Sequence, residues 1–273
     1  VTDKIFTDDV ERFIRNFEEP AFFSFGAAWV FKKDALSKFF DNKLINAHGT
    51  RLPENRGGGG FSWQIMSGNK QGYCQLHLVD EGIDTGNIIF TEEFLYPVHC
   101  RIPRDYDEYY QDKLYKIVID IMSLLVIEKM DFQINTQLEY HSTYWPRLNS
   151  DIHGWIDWNW SLSQIERFIC AFDFPYTGAK TSYKGHQVAL RNCRVEYSEG
   201  RFHPFQTGII YRVAENWVCI AKQNGTLIIE NVFDEYGKDI TKSLSVGDRF
   251  FTNNEVLEKA KKRVVYTASK LKS

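Results

Sequence analysis

A strong positive charge is the first thing this chain lacks: 33 Lys and Arg stand against 36 Asp and Glu, a formal net charge of −3. That balance argues against broad, non-specific nucleic-acid binding by the chain as a whole. No Cys-x-x-Cys pair occurs, and the five cysteines (Cys74, Cys100, Cys170, Cys193 and Cys219) are far apart. Zinc-finger spacing is thereby excluded, and an odd, scattered set fits a reducing compartment, so a cytoplasmic location is expected. No apolar run reaches the roughly 20 residues a membrane-crossing helix needs; the longest candidate, Ile117 to Ile127, is broken by Asp120. There is no signal-peptide pattern, no internal repeat, and no Ser or Cys in a nucleophile-elbow pattern. The glycine run Gly57 to Gly60 is not followed by the Lys-Ser/Thr of a phosphate loop. There is also no initiating Met, and a missing true beginning before Val1 is expected.

What the chain does have is 273 residues, enough for one large domain or two ordinary ones. Aromatics reach 15%, so large flat side chains are expected to fill cores or line a ligand cleft. The charge is uneven. Residues 1–153 carry 16 Lys and Arg against 23 Asp and Glu, a net of −7, whereas residues 154–273 carry 17 against 13, a net of +4.

Periodicity sets out the elements. Phe6 to Phe17 reads as a helix capped by Thr7, with an apolar stripe at Val10, Phe13, Ile14 and Phe17. Ala21 to Phe31 reads as a buried strand opening into a loop at Gly26, Asp34 to Phe40 as a short helix, and Leu44 to Ala47 as a second buried strand. That alternation predicts an α/β domain with a Rossmann-like parallel sheet. His48 then falls just past a strand end, where such sheets bind ligands. Phe61 to Ser67 reads as helix, Gly72 to Val79 and Asn87 to Tyr96 as strands around a tight loop at Asp80 to Gly86, and Tyr109 to Lys129 as the longest helix. Residues 142–160 lose periodicity and read as a linker. Overlapping capping boxes at Ser161 to Glu166 start a helix, strands and turns follow from His186 to Phe233, and Asn254 to Leu271 reads as a closing helix. The expected division is 1–141 for the first domain, 142–160 for the linker, and 161–273 for a small antiparallel, OB-like β-barrel with a terminal helix.

One stretch holds an amide, an imidazole and a carboxylate among glycines: Asn46-Ala47-His48, Gly57 to Gly60, and Asp80 to Gly86 with Asp84 inside it. An amide can donate to a developing oxyanion, an imidazole can exchange a proton near neutral pH, and a carboxylate can orient or charge that imidazole. Together they suit acyl transfer to a nitrogen nucleophile; by residue type alone His48 could equally cap or pack. Asp80 and Glu81 read as loop-shaping, His77 as structural within its strand, and the glycine run as a flexible loop beside an acceptor. Trp155, Trp158 and Trp160 read as packing at the domain join.

The motifs Asn46-Ala47-His48, Leu52-Pro53, Arg56-Gly57-Gly58, Trp63-Gln64-Ile65 and Asp80 to Gly86 resemble the N10-formyltetrahydrofolate-dependent formyltransferases. Ser142 to Arg147, Ile156-Asp157-Trp158 and Phe174 to Ala179 look like the join and early second domain of the two-domain type, as in methionyl-tRNA formyltransferase. The resemblance implies Asn46, His48 and Asp84 as catalytic residues. It also implies a folate pterin held mainly by backbone at Trp29, Val30, Phe31 and Lys32 and at Val79, Asp80 and Gly82, with no metal. N10-formyltetrahydrofolate is the implied co-substrate. Measured against the family, the first strands of the catalytic domain are missing before Val1, and the usual His-Pro-Ser-Leu-Leu-Pro is replaced by His48-Gly49-Thr50-Arg51-Leu52-Pro53. That change makes residues 49–60 the expected determinant of acceptor choice. The acidic first half favours a small amine, such as a nucleotide-linked amino sugar, over methionyl-tRNA. The remaining alternatives are folate hydrolysis and a non-catalytic folate-binding or interaction relative. No membrane partner is expected, and a homodimer is compatible with the sequence.

Overall fold

The computed structural model describes residues 6–27, 30–127, 133–266 and 271–272, with only the backbone at 124–127, 265–266 and 271–272. In chain order the first half runs α1 (Asp8–Ile14), β1 (Phe22–Phe25), α2 (Lys33–Phe40), β2 (Leu44–His48), β3 (Arg56–Gly57), α3 (Gly60–Ser67), β4 (Gln71–Leu78), β5 (Ile88–Leu95) and α4 (Pro103–Ile127). Thr7 caps α1 as expected, its hydroxyl accepting the Val10 N–H at 3.4 Å. The stripe on α1 does not become core, because Phe13 and Phe17 stay exposed and no residue of α1 is buried.

The first sheet has the order β1-β2-β4-β5 and is mixed. Only β1 and β2 run parallel; β4 returns antiparallel to β2, and β5 antiparallel to β4. Successive residues of a strand face opposite sides. One side presents Ile45, Cys74 and Leu76, which pack with Leu114, Ile117 and Ile121 of α4 into one buried cluster. The other side of β2 and β4 therefore presents Asn46, His48, Gln75 and His77. On α4, Leu114, Ile117 and Ile121 are buried; the side chains of Leu124 and Leu125 lie outside the described residues. The helix starts six residues before the expected Tyr109, at Pro103, a favoured first helical residue.

The second half runs β6 (Tyr144–Trp145), α5 (Ser150–His153), α6 (Leu162–Ala171), β7 (Ala179–Tyr183), β8 (His186–Glu196), β9 (Ile210–Val213), β10 (Val218–Lys222), β11 (Gly225–Asp234), β12 (Phe250–Phe251), α7 (Asn254–Ala260), β13 (Val265–Tyr266) and β14 (Leu271–Lys272). Ser161 and Gln164 form the expected capping box of α6. Six strands make one antiparallel sheet, β12-β7-β8-β11-β10-β9. It curls into a half-barrel whose edges approach: Ile209 bridges Arg249, and the Phe250 N–H reaches the Gly208 carbonyl at 2.9 Å. Ile165 and Ile169 of α6 close the half-barrel over Leu190, Ile220, Leu227 and Ile229. The closing helix stops at Ala260, short of the expected Leu271, because Val264 and Val265 are β-branched and Val265–Tyr266 pairs with Leu271–Lys272.

The two halves share a core. Ile65, Tyr96 and Tyr106 belong to the same buried cluster as Ile165 and Phe172, and the Ser62 hydroxyl donates to the Ala171 carbonyl at 2.8 Å. The expected linker is likewise structured: β6 pairs parallel with β3, and Asn149 caps α5. Trp158 packs as expected, stacked on Phe250 with its indole N–H on the Thr181 hydroxyl at 2.9 Å.

Candidate functional site

Cross-strand register builds the site. Asn46 lies opposite His77 on the β2–β4 ladder, and His48 lies two residues along β2. All three project from the side of the sheet away from α4. His48 is the last residue of β2, one position earlier than the sequence suggests. Because β4 runs opposite to β2, its loop has to fold back to meet them. Asp84 does so in the left-handed region, at φ 53°, and at Gly86 an added Cβ would sit 1.8 Å from the Leu78 carbonyl oxygen. The result places Asp84 Oδ2 3.8 Å from His48 Nδ1 and Asp84 Oδ1 3.7 Å from His77 Nε2. The Gly57 N–H donates to Asp84 Oδ2 at 2.9 Å.

The hydrogen-bond partners fix both imidazole tautomers. His48 Nε2 lies 2.8 Å from the Asn55 carbonyl oxygen, so it carries a proton and donates it there. The Thr50 hydroxyl is 2.8 Å from the same nitrogen and itself donates to Asn55 O at 3.0 Å. In neutral His48 the lone pair is then on Nδ1, the nitrogen nearest Asp84. His77 Nδ1 donates to the Leu78 carbonyl at 2.9 Å, leaving Nε2 to accept from Asn46 Nδ2 at 3.1 Å. One Asn46 N–H is thus committed and the other is left for a ligand.

His77 is buried, and that burial holds its imidazole below the ordinary range; His48 nearby acts in the same direction, while Asp84 opposes it. His77 is therefore neutral and makes no ion pair with Asp84. The unfolded chain binds a proton here that the folded chain resists, so stability should fall as pH drops below about 6.5. Urea unfolding above and below that pH measures the drop, and His77→Gln should flatten it.

These groups form one wall of a cleft of about 810 Å³. Val30, Phe31, Val79, Asp80 and Gly82 line it, together with Ile83. Val30 and Ile83 are exposed apolar side chains, a surface that suits a flat heterocycle. Lys32 stands at the start of α2 away from the lining, and Trp29 lies outside the described residues. Asp80 shapes the loop, accepting from the Gly82 N–H at 3.1 Å and the Thr85 hydroxyl at 2.5 Å. Among the described residues no cluster of His, Cys, Asp and Glu could hold a metal ion, and no helix is long and apolar enough to cross a membrane.

Much of the rest of the lining comes from residues 142–160, read as a linker, from the segment between α6 and β7, and from the expected closing helix. Tyr144, Arg147, Asn149, Tyr176 and Arg263 line the cleft, and the Arg263 guanidinium sits 5.3 Å from the centre of the Tyr144 ring. The expected acceptor segment 49–60 contributes only Gly57, Gly58 and Gly59 to the lining. Arg51 instead pairs with Glu54 at 3.2 Å. The glycine run is also a packing seam and not a free loop: Gly58 N–H bonds the Trp145 carbonyl at 3.0 Å. His77 is buried in its strand, in line with its structural reading; its hold on Asn46 is the part that was missed, together with this part of the lining. The signal for it was a polar alternation, Gln75-x-His77, in an otherwise apolar stretch from Tyr73 to Leu78.

The family profile described as formyl transferase matches residues 30–109, and that described as formyl transferase, C-terminal domain, matches residues 150–244. A methionyl-tRNA formyltransferase of Alkaliphilus oremlandii is 29% identical over 190 residues, covering 69% of this chain and 58% of that protein. This chain thus spans less than two thirds of the length of the curated relative. The fold is similar to the N-formyltransferase of Helicobacter canadensis solved with folinic acid and dTDP-3-aminofucose (TM-score 0.61, 21% identity, 82% of this chain and 77% of that one). It is also similar to HypX of Aquifex aeolicus solved with tetrahydrofolic acid (TM-score 0.58, 20% identity, 80% of this chain and 36% of that one).

Proposed function

The chain belongs to the formyl transferase family, and from that premise we infer that it moves the formyl group of N10-formyltetrahydrofolate onto a primary amine of a nucleotide-linked amino sugar. The observation that carries this reading is the convergence of Asn46, His48 and Asp84 in a cleft that Arg147 and Arg263 also line.

The amine nitrogen attacks the formyl carbon, and the carbonyl π pair moves onto oxygen. The uncommitted N–H of Asn46 donates to that oxygen, because the other N–H is held by His77. The nitrogen that has formed the new bond sheds one proton, and His48 Nδ1 is the lone pair that takes it, with the Asp84 carboxylate 3.8 Å away to balance the imidazolium. As the oxyanion collapses, the bond to N10 breaks, N10 takes up a proton, and tetrahydrofolate and a formamide leave. Val30 and Ile83 suit the pterin, and backbone at Val79 to Gly82 supplies polar contacts.

The arginines in the lining favour a small anionic acceptor. Arg147 and Arg263 face the cleft, and guanidinium groups bind phosphate oxygens in a fixed, forked geometry. Methionyl-tRNA is the second reading, favoured by the name of the curated relative. A tRNA needs many neutralised phosphates, whereas the half that carries Asn46, His48 and Asp84 has a net of −7. Arg263→Ala should raise KM for a nucleotide-linked amino sugar roughly tenfold or more and leave the KM for folate unchanged. Turnover with methionyl-tRNA that falls steeply with salt, and none with amino sugars, would replace this reading by the tRNA one.

A further inference from the structure

Asp84 is held from two sides, and the second hold comes from a residue outside every motif singled out above. We propose that Gln137 is the positioning residue for Asp84, acting with Arg56 as a latch on the loop between β4 and β5. The proposal rests on the catalytic reading of Asp84.

The geometry uses both N–H donors and the carbonyl oxygen of the glutamine amide. Gln137 Nε2 donates to the Asp84 carbonyl at 2.9 Å and to the Gly86 carbonyl at 2.6 Å. Its Oε1 accepts from Arg56 Nε at 3.1 Å. Two donors and one acceptor of this one side chain are thereby satisfied in one place. Arg56 is itself buried, and its Nη1 continues to Glu139 Oε2 at 2.7 Å. The backbone beside Gln137 is anchored too: Asn135 and Ile88 exchange two backbone hydrogen bonds, at 2.8 and 2.9 Å.

The purpose of the latch follows from what it holds. Asp84 takes a left-handed conformation at φ 53°, one that non-glycine residues adopt at a cost. Surroundings must over-determine such a residue for it to persist. Strand β3 does this twice. Gly57 gives its N–H to the Asp84 carboxylate, while the neighbouring Arg56 gives its side chain to the amide that grips the Asp84 carbonyl. Side chain and backbone of Asp84 are thus set by adjacent residues of one strand. Asp80 shapes the earlier half of the loop through Gly82 and is joined to the latched half through Thr85. The latch grips the part that faces His48 directly, and reaches the part read as the pterin wall only through that one Thr85–Asp80 bond.

The test is Gln137→Glu, alone and combined with Asp84→Ala. Glutamate keeps the size and the acceptor toward Arg56 but turns both donors into acceptors facing two carbonyls. The single variant should lose roughly 10²-fold in kcat, the scale of a misplaced reacting group, with KM for folate unchanged and the thermal midpoint close to the parent's. In the Asp84→Ala background the same change should cost nothing further. Gln137→Asn, one methylene too short to span both carbonyls, should lose kcat in the same direction and serves if the glutamate variant does not fold. A silent Gln137→Glu beside a crippled Asp84→Ala would overturn the latch alone, as would equal losses in both backgrounds. Normal turnover by Asp84→Ala would overturn the catalytic reading, and the latch with it.

Discussion

His48→Ala is expected to lower formyl transfer by roughly 10³-fold while leaving folding intact. The side chain is mostly buried, but its contacts are local: the Asn55 carbonyl, the Thr50 hydroxyl and the Asp84 carboxylate. Thr50 still donates to Asn55 O at 3.0 Å once the imidazole is gone, so that carbonyl is not orphaned. What disappears is the Nδ1 lone pair, the base nearest the site that can take the amine's proton without leaving a carboxylic acid behind. Single-turnover kinetics with saturating folate and amine would measure the loss, with thermal unfolding as control. Parent-like turnover in a well-folded His48→Ala protein would remove His48 from the mechanism.

Gly57→Val should cost about 3 kcal/mol of stability and abolish transfer as well. Gly57 has φ 103°, outside the range open to a β-branched residue. An added Cβ would meet the Trp145 carbonyl at 2.2 Å and the Tyr144 ring at 2.9 Å. The β3–β6 pairing must open to admit it, and with it goes the N–H that holds Asp84 Oδ2. Urea unfolding gives the stability change, and an unaltered midpoint would show that the seam yields without cost. Gly26 is the matched control: its φ is positive, yet an added Cβ meets nothing within 4 Å.

Much of this molecule was legible in the sequence where local chemistry decides the outcome. The Thr7 cap, the Ser161–Gln164 capping box and the helix after the glycine run are properties of a few adjacent residues, and they form as read. Asn46, His48 and Asp84 were joined only through the family resemblance of the motifs that hold them, since no spacing rule links β2 to the β4–β5 loop. The direction of β4 was not legible. A buried strand reads the same whether it runs parallel or antiparallel, so only β1 and β2 follow the parallel expectation. The stripe on α1 failed for the opposite reason: periodicity predicts an apolar face, but burial needs a neighbour, and none covers Phe13 or Phe17 among the described residues.

The largest gap concerned residues 142–160. Loss of periodicity was read as a spacer, but those residues pair with β3 and supply Tyr144, Arg147 and Asn149 to the cleft. We propose the division 1–141, 142–160 and 161–273 for the protein, with the middle segment acting as a wall of the site. His77 and Gln137 were missed for a related reason. Their roles depend on partners 31 and 53 residues away, Asn46 and Asp84, and no spacing rule reaches that far.

The most direct test follows an isotope-labelled formyl group from N10-formyltetrahydrofolate in the presence of a nucleotide-linked amino sugar. The account predicts that the label appears as a formamide on the sugar nitrogen in the parent protein, and not in His48→Ala or Asp84→Ala. Label released as free formate, or a formamide formed equally well by all three proteins, would contradict it.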